Sequence, residues 1–233
     1  MSTKSHSTLW PLWGAIAGLG GIIATMLTDQ NISDESRKSG VGVIAELDQW
    51  RFQVGICVGL VAVFALLAFA AGWIRRLRTT PDPLLAEYII PLGFLASAGA
   101  LIVGYGFKGS LAVYLDGGMD GGSYPPENLL SIFMINDFAP YLGWWGAAFS
   151  AMAIAAASIQ NRIVPLWLGI TSGIFALIPT VFVLLTGLPG FPGVVIPGWL
   201  VLTGITLTII EHRQAIAPVP NPLTTQTPHP ATV

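Results

Sequence analysis

Few residues in this chain of 233 could do chemistry, and most of them fall in two loop regions. The most suggestive string is Asp116-Gly117-Gly118-Met119-Asp120-Gly121-Gly122-Ser123-Tyr124-Pro125-Pro126-Glu127. A twelve-residue calcium loop needs oxygen ligands at positions 1, 3, 5 and 12 and a glycine at 6 for its sharp turn. Asp116, Asp120, Gly121 and Glu127 occupy positions 1, 5, 6 and 12, but position 3 is Gly118 and the Pro125-Pro126 pair stiffens the exit. The competing expectation is a glycine turn that hands over to Pro126 and Glu127 as ordinary helix-start residues. Calcium held there would be held weakly, at roughly 10⁻⁴–10⁻³ M.

Three further groups are candidates for ligand binding or transport. Glu87 is the one acid or base expected within an apolar span, which by default makes it a candidate for proton coupling; it also lies near a span end, where interface anchoring or pairing with Arg75, Arg76 or Arg78 would account for it. Glu46, Asp48 and Asp137 belong to two acidic connections that could form a cation-attracting vestibule or merely carry solvated charge. Leu188 to Trp199 holds three Pro-Gly pairs, and Pro197-Gly198 could break the last span and expose backbone groups of the kind transporters use. A tight turn that delays the last helix is the alternative. Catalysis has little to work with: the three histidines form no ligand pair, and there is no nucleophile motif or phosphate-binding glycine loop.

The elements that must position these residues follow from composition. The chain is 53% hydrophobic and only 9% charged, against about 25% charged in a soluble domain. Its apolar residues run in unbroken blocks of about 20, the length needed to cross roughly 30 Å of hydrocarbon. The expected fold is all-α: a polytopic membrane protein with six transmembrane helices, at 9–28, 52–74, 84–106, 139–158, 163–187 and 191–210. Residues 1–213 form one membrane domain, and the Pro-rich segment 214–233 is a flexible extension that cannot bury enough apolar surface to fold alone.

Positive residues are retained on the cytoplasmic side, and the cluster Arg75, Arg76, Arg78 directly follows the second span. Both termini are therefore expected inside, with most of the acids in the outer connections. Two short outer helices are predicted. One covers 127–138 and ends before Pro140; the other presents Val43, Ile44, Leu47 and Trp50 on its apolar face, with Glu46, Asp48 and Arg51 on the wetter one. Small residues at i, i+4 in the first, third and fifth spans (Gly14 and Gly18, Ala96 and Ala100, Gly169 and Gly173) point to those helices as the centre of the bundle. Six of the tryptophans, Trp10, Trp13, Trp144, Trp145, Trp167 and Trp199, are expected as interface anchors. The single Cys57 excludes an intrachain disulfide.

The run Ser158-Ile159-Gln160-Asn161-Arg162-Ile163-Val164-Pro165-Leu166-Trp167-Leu168-Gly169 resembles the segment, often written S-x-L-I-P-R-W-L-x-x-W-G, that opens the fifth span in a family of uncharacterised six-span bacterial membrane proteins of actinobacterial type. Leu166 stands where that family has arginine, and Pro197-Gly198-Trp199 is similar to its Pro-x-Trp near the last span. The resemblance implies a six-span fold in a bacterial plasma membrane and no particular activity. The expected function is a non-enzymatic structural, accessory or sensing component of that membrane. A small carrier or channel using the broken sixth span is the alternative, and an enzyme acting on lipid or quinone comes third. The expected partners are the lipid bilayer and either a second copy or another membrane protein. The near-neutral net charge of -2 leaves no basic stripe for nucleic acid.

Overall fold

The structure, a computed structural model, describes residues 9–30, 32–38, 40–78 and 83–216. Among these residues every regular element is a helix, with no strand. Helix α1 (Leu12–Gly21) continues as a π-helical segment, Ile22–Leu27. A short helix α2 (Asp34–Lys38) and a 3₁₀ helix (Gly40–Glu46) lead to α3 (Gln49–Leu77) and α4 (Leu85–Tyr114). Then follow α5 (Pro126–Leu142), α6 (Trp145–Asn161), α7 (Leu166–Thr186) and α8 (Pro192–Ile216). Hydrocarbon offers the backbone no partners, so helices that satisfy every N–H and C=O internally are the form an apolar chain of this kind takes.

Five helical segments are long and apolar enough to cross a membrane: Gln49–Leu77, Leu85–Tyr114, Pro126–Gln160, Leu166–Thr186 and Pro192–Ile216. The chain is thus built as a membrane protein. The stretch Leu12–Leu27, expected as the first span, is a shorter apolar helix. Of the expected tail, residues 214–216 are the last of α8 and the rest lies outside the described residues.

Several expectations need correction. The helix that begins at Pro126 does not stop before Pro140; it passes through that proline, and the break comes at Gly143-Trp144, where α5 gives way to α6. There Gly104 on α4 comes against Ala139 and Pro140, and Gly143 against Leu101, so α5 is packed along α4 and is not an isolated outer helix. Likewise α8 is not broken at Pro197-Gly198, nor does it begin there. It starts at Pro192 and continues through Pro197, since a proline close to a helix start removes few backbone bonds. A side chain on Gly18 would collide with the Pro197 carbonyl oxygen, which shows how closely α1 rests on this part of α8.

Helix α7, expected as the fifth span, is not central. Only 28% of the most apolar window of α7 is buried, and its Gly169 and Gly173 serve one contact, with Ser158 and Ala155 of α6. Ala96 and Ala100 are exposed, and the neighbouring face of α4, with Gly93 and Ser97, makes the close approach to Gly146 and Ser150 of α6. Two hydroxyls lock this seam: the Ala147 N–H donates to Ser97 Oγ at 2.7 Å, and Ser150 Oγ donates to the Ile90 carbonyl at 2.7 Å. Gly14 and Gly18 do lie buried in packing, against Phe69 and against α8.

The middle of the bundle is aromatic. Trp10 stacks on Phe69 at 5.6 Å, Phe69 meets Phe94 at 5.0 Å, and Phe94 lies over Trp199 at 6.3 Å, with Trp73 edge-on to Trp10. Trp10, Trp144 and Trp199 are therefore core residues and not interface anchors, whereas Trp13 and Trp167 are exposed as expected of anchors. A second, smaller core joins Val43, Ile44 and Leu47 to Phe52, Leu111, Leu115 and Leu129. The apolar face read into residues 43–47 is buried there, and Trp50 stays exposed.

Candidate functional site

The strongest polar constellation lies where four elements meet, at the end of the bundle that carries the connections 28–48 and 115–125. Its centre is Lys108. The third span was expected to end at 106, but α4 continues to Tyr114 and leaves Lys108 only 1% exposed. The helix extends because Leu111, Ala112 and Leu115 carry an apolar face onward at helical spacing into the second core.

The neighbours of Lys108 come from three other segments. The ammonium donates to Thr28 Oγ1 at 3.2 Å, and that hydroxyl donates to the Ala24 carbonyl at 2.8 Å. Lys108 Nζ lies 5.9 Å from the centre of the Phe52 ring of α3, within cation–π range. Asp29 and Asp137 supply the opposing negative charge, from just after the π-helical segment and from α5 respectively. Asp29 in turn accepts from the Tyr141 hydroxyl at 2.8 Å. A buried ammonium is tolerable only when it is hydrogen-bonded and compensated in this manner.

One turn deeper, the Tyr105 hydroxyl and Thr25 Oγ1 are 3.0 Å apart, and the Trp144 indole N–H donates to the same Thr25 oxygen at 3.3 Å. The wide turn of the π-helical segment, closed by a bond from Thr28 N to Ile23 O, carries both Thr25 and Thr28 into this network. Segments of π-helix recur at functional sites, and here one places two hydroxyls on two successive layers. Space comes from α3: a side chain on Gly55 would collide with Lys108 and Thr28, and one on Gly59 with the Tyr105 ring.

Asp137 also forms part of the wall of a cavity of about 390 Å³ between α5 and the 30–43 connection, together with Gln30, Ile32, Val43 and Leu130. The buried charge network therefore has a face that a small molecule could reach.

The other sequence candidates do not join this site. Glu46 accepts from Ser36 Oγ at 2.6 and 2.7 Å, and Asp48 pairs with Arg51 at 3.3 Å; both acids are exposed. Of the expected vestibule, only Asp137 is in the network. Glu87 is at the opposite end of α4, fully buried, with Oε1 accepting from Asn161 Nδ2 at 2.6 Å and Oε2 without a hydrogen-bond partner. The acid paired with Arg76 is Glu211, and Arg76 also donates to the Ile163 carbonyl at 2.8 Å. Asp116, Asp120 and Glu127 are exposed, and among the described residues no three acids, histidines or cysteines gather as metal ligands. Instead the 115–125 loop is folded by backbone bonds such as Asp120 N to Val113 O at 3.0 Å, with Gly117 and Gly122 at positive φ and Pro126 opening α5.

Sequence reasoning missed Lys108, Thr25, Thr28 and Tyr105. Thr25 and Thr28, and likewise Tyr105 and Lys108, are spaced i, i+3, which puts each pair on one helix face. That pattern was available, but placing Lys108 in a loop concealed it. Comparison of the chain with protein-family models, with curated proteins and with solved structures finds no match.

Proposed function

We propose that this chain is a non-enzymatic, six-span sensing or accessory protein of a bacterial plasma membrane, with both termini inside and the Lys108 network facing outward. Leu12–Leu27 serves as the first span: at 1.5 Å per residue it covers about 24 Å, and its burial against α3 and α8 offsets the shortfall from about 30 Å. The arginines at the end of α3 support the inward assignment of that end.

One observation carries the functional reading. The polar groups with a reachable face are confined to one end, while the middle is filled by Phe69, tilted against Phe94, and by Phe94 over Trp199, with Trp10 stacked on Phe69 toward the opposite end. A carrier needs a binding site near the bilayer midplane at which two halves can rock, often formed by discontinuous helices. Here the midplane is packed with rings and α8 is continuous, so the arrangement favours reception of a signal or partner at one face. The test is flux. Protein reconstituted in liposomes should leave proton, sodium and potassium gradients as stable as in empty vesicles. Dissipation that depends on the protein and vanishes in Glu87→Gln would replace this reading with a carrier.

A further inference from the structure

We propose that the end of the bundle where α3, α6 and α8 finish is a binding surface for anionic phospholipid headgroups. This goes beyond the reading above, which concerns the opposite end of α4. Arg76 is the hub of the surface. From the last turn of α3 it pairs with Glu211 of α8 and donates to the Ile163 carbonyl, in the connection between α6 and α7. Three segments far apart in the chain are thereby drawn to one place. Each presents an exposed arginine within two residues of Arg76 or of a residue that Arg76 holds: Arg78 after α3, Arg162 before Ile163, and Arg213 in the last turn of α8.

The sign of this surface follows from the sequence as well as from the contacts. The helix ends and connections here hold Arg75, Arg76, Arg78, Arg162 and Arg213 against Asp82, Glu87 and Glu211. Asp82 lies outside the described residues, and the excess is positive with its full negative charge counted in. Glu211 is paired with Arg76, and Glu87 is fully buried against Asn161. Arg75 and Arg76 have contacts within the protein. The charge offered outward is therefore that of Arg78, Arg162 and Arg213, none of which has an ion pair among the described residues. At the other end the balance is reversed, with nine acids against Arg37, Lys38, Arg51 and Lys108.

Depth decides which anion meets these arginines. Trp167 and Tyr88, each 55% exposed, stand in the first turns of α7 and α4 at this same end. Such rings settle at the level of the lipid headgroups. Arg162 precedes Trp167 by five residues, across the short connection that opens α7, which sets it at the depth of lipid phosphates. A guanidinium can give a phosphate two parallel hydrogen bonds. A zwitterionic lipid also carries a phosphate, but its own ammonium cancels the charge. The surface therefore selects lipids with net negative charge, by about fivefold for each arginine that reaches them.

The full chain in uncharged detergent is titrated with pyrene-labelled phosphatidylglycerol and, separately, pyrene-labelled phosphatidylcholine, with energy transfer from the tryptophans as the readout. The expected result is at least about fivefold tighter binding of phosphatidylglycerol, falling toward parity as salt is raised. Arg162→Asn removes the charge and keeps a residue suited to the positive φ of 50° at that position, and should lower the preference about two- to fivefold. Adding Arg78→Gln and Arg213→Gln should bring the two lipids to within about twofold of each other. All three side chains are exposed, so the variants should keep the fold. Lys38→Gln, exposed at the opposite end, should leave the preference unchanged. Sodium phosphate should compete no better than sodium chloride of equal ionic strength. Equal binding of the two lipids by the native chain, an unaltered preference in the triple variant, or an equal loss in Lys38→Gln would each overturn the proposal. Stronger competition by phosphate would do so too, by making this a site for a soluble anion. The flux measurement above decides the sensing reading separately, and neither result bears on the other.

Discussion

Helix α4 buries an ionisable residue near each of its ends, and the two are managed in opposite ways. At one end Lys108 sits among Thr28, the Phe52 ring and two carboxylates drawn from three other segments. At the other, Glu87 is equally buried but holds one hydrogen bond, from Asn161, and its second oxygen has no partner. An ammonium has three protons to satisfy and draws oxygen neighbours from several segments, whereas the Glu87 carboxyl is met by a single amide. The first end is a compensated network on which three other segments depend, and the second is a local tie between the start of α4 and the end of α6.

That contrast is open to attack. The largest effect is expected at Lys108. Lys108→Met removes the ammonium that donates to Thr28 and that opposes the half-buried Asp29 and Asp137, and should cost about 2–3 kcal/mol by reversible unfolding in detergent. Adding Asp137→Asn should restore part of that loss, because the two changes act on one interaction. A strictly additive double variant would show that Lys108 and Asp137 are not coupled.

The seam between the two ends comes next. A side chain on Gly146 would run into Gly93 and Ser97, so Gly146→Val should destabilise by about 1–3 kcal/mol through overpacking, while the exposed Gly99→Val should have a much smaller effect. Equal losses at both positions would mean that α4 and α6 are not in close contact there.

Glu87→Gln should shift stability by no more than about 1 kcal/mol, because the amide oxygen can still accept from Asn161 and no ion pair is lost. A drop like that of Lys108→Met would show that the second oxygen of Glu87 is as deeply committed as the ammonium, and the contrast between the ends would collapse. The smallest effect belongs to the exposed pair of Asp48 and Arg51, where Asp48→Asn should change stability by less than about 0.5 kcal/mol in the same assay.

Much of the helical frame was readable from residue order. The spans expected at 52–74, 163–187 and 191–210 correspond to α3, α7 and α8 within a few residues, except at the end of α8, because apolar runs of that length have no other stable arrangement in lipid. Reading by local rules went astray where tertiary contacts set the outcome. Pro140 and Pro197 read as helix breakers, yet both are accommodated: Pro140 is packed against α4, and Pro197 lies near the start of α8 beside Gly18. Trp144 and Trp199 read as interface anchors, yet both are in the core with their indole N–H groups bonded to Thr25 and Ser172. The candidate site was legible only through Asp137, since its other members look like loop or lipid-facing residues when taken one at a time.

Composition and the length of the apolar runs, by themselves, determined that this is a helical membrane protein whose charge is sorted away from its middle. Those properties depend on each segment's own transfer into hydrocarbon and need no knowledge of neighbours. Only the tertiary structure decided that Lys108 is interior, that Glu87 meets Asn161 and not an arginine, and that Asp137 joins a buried amine to an open cavity. Whether a charge can be buried depends on what compensates it, and here the compensating groups come from segments up to 80 residues away along the chain.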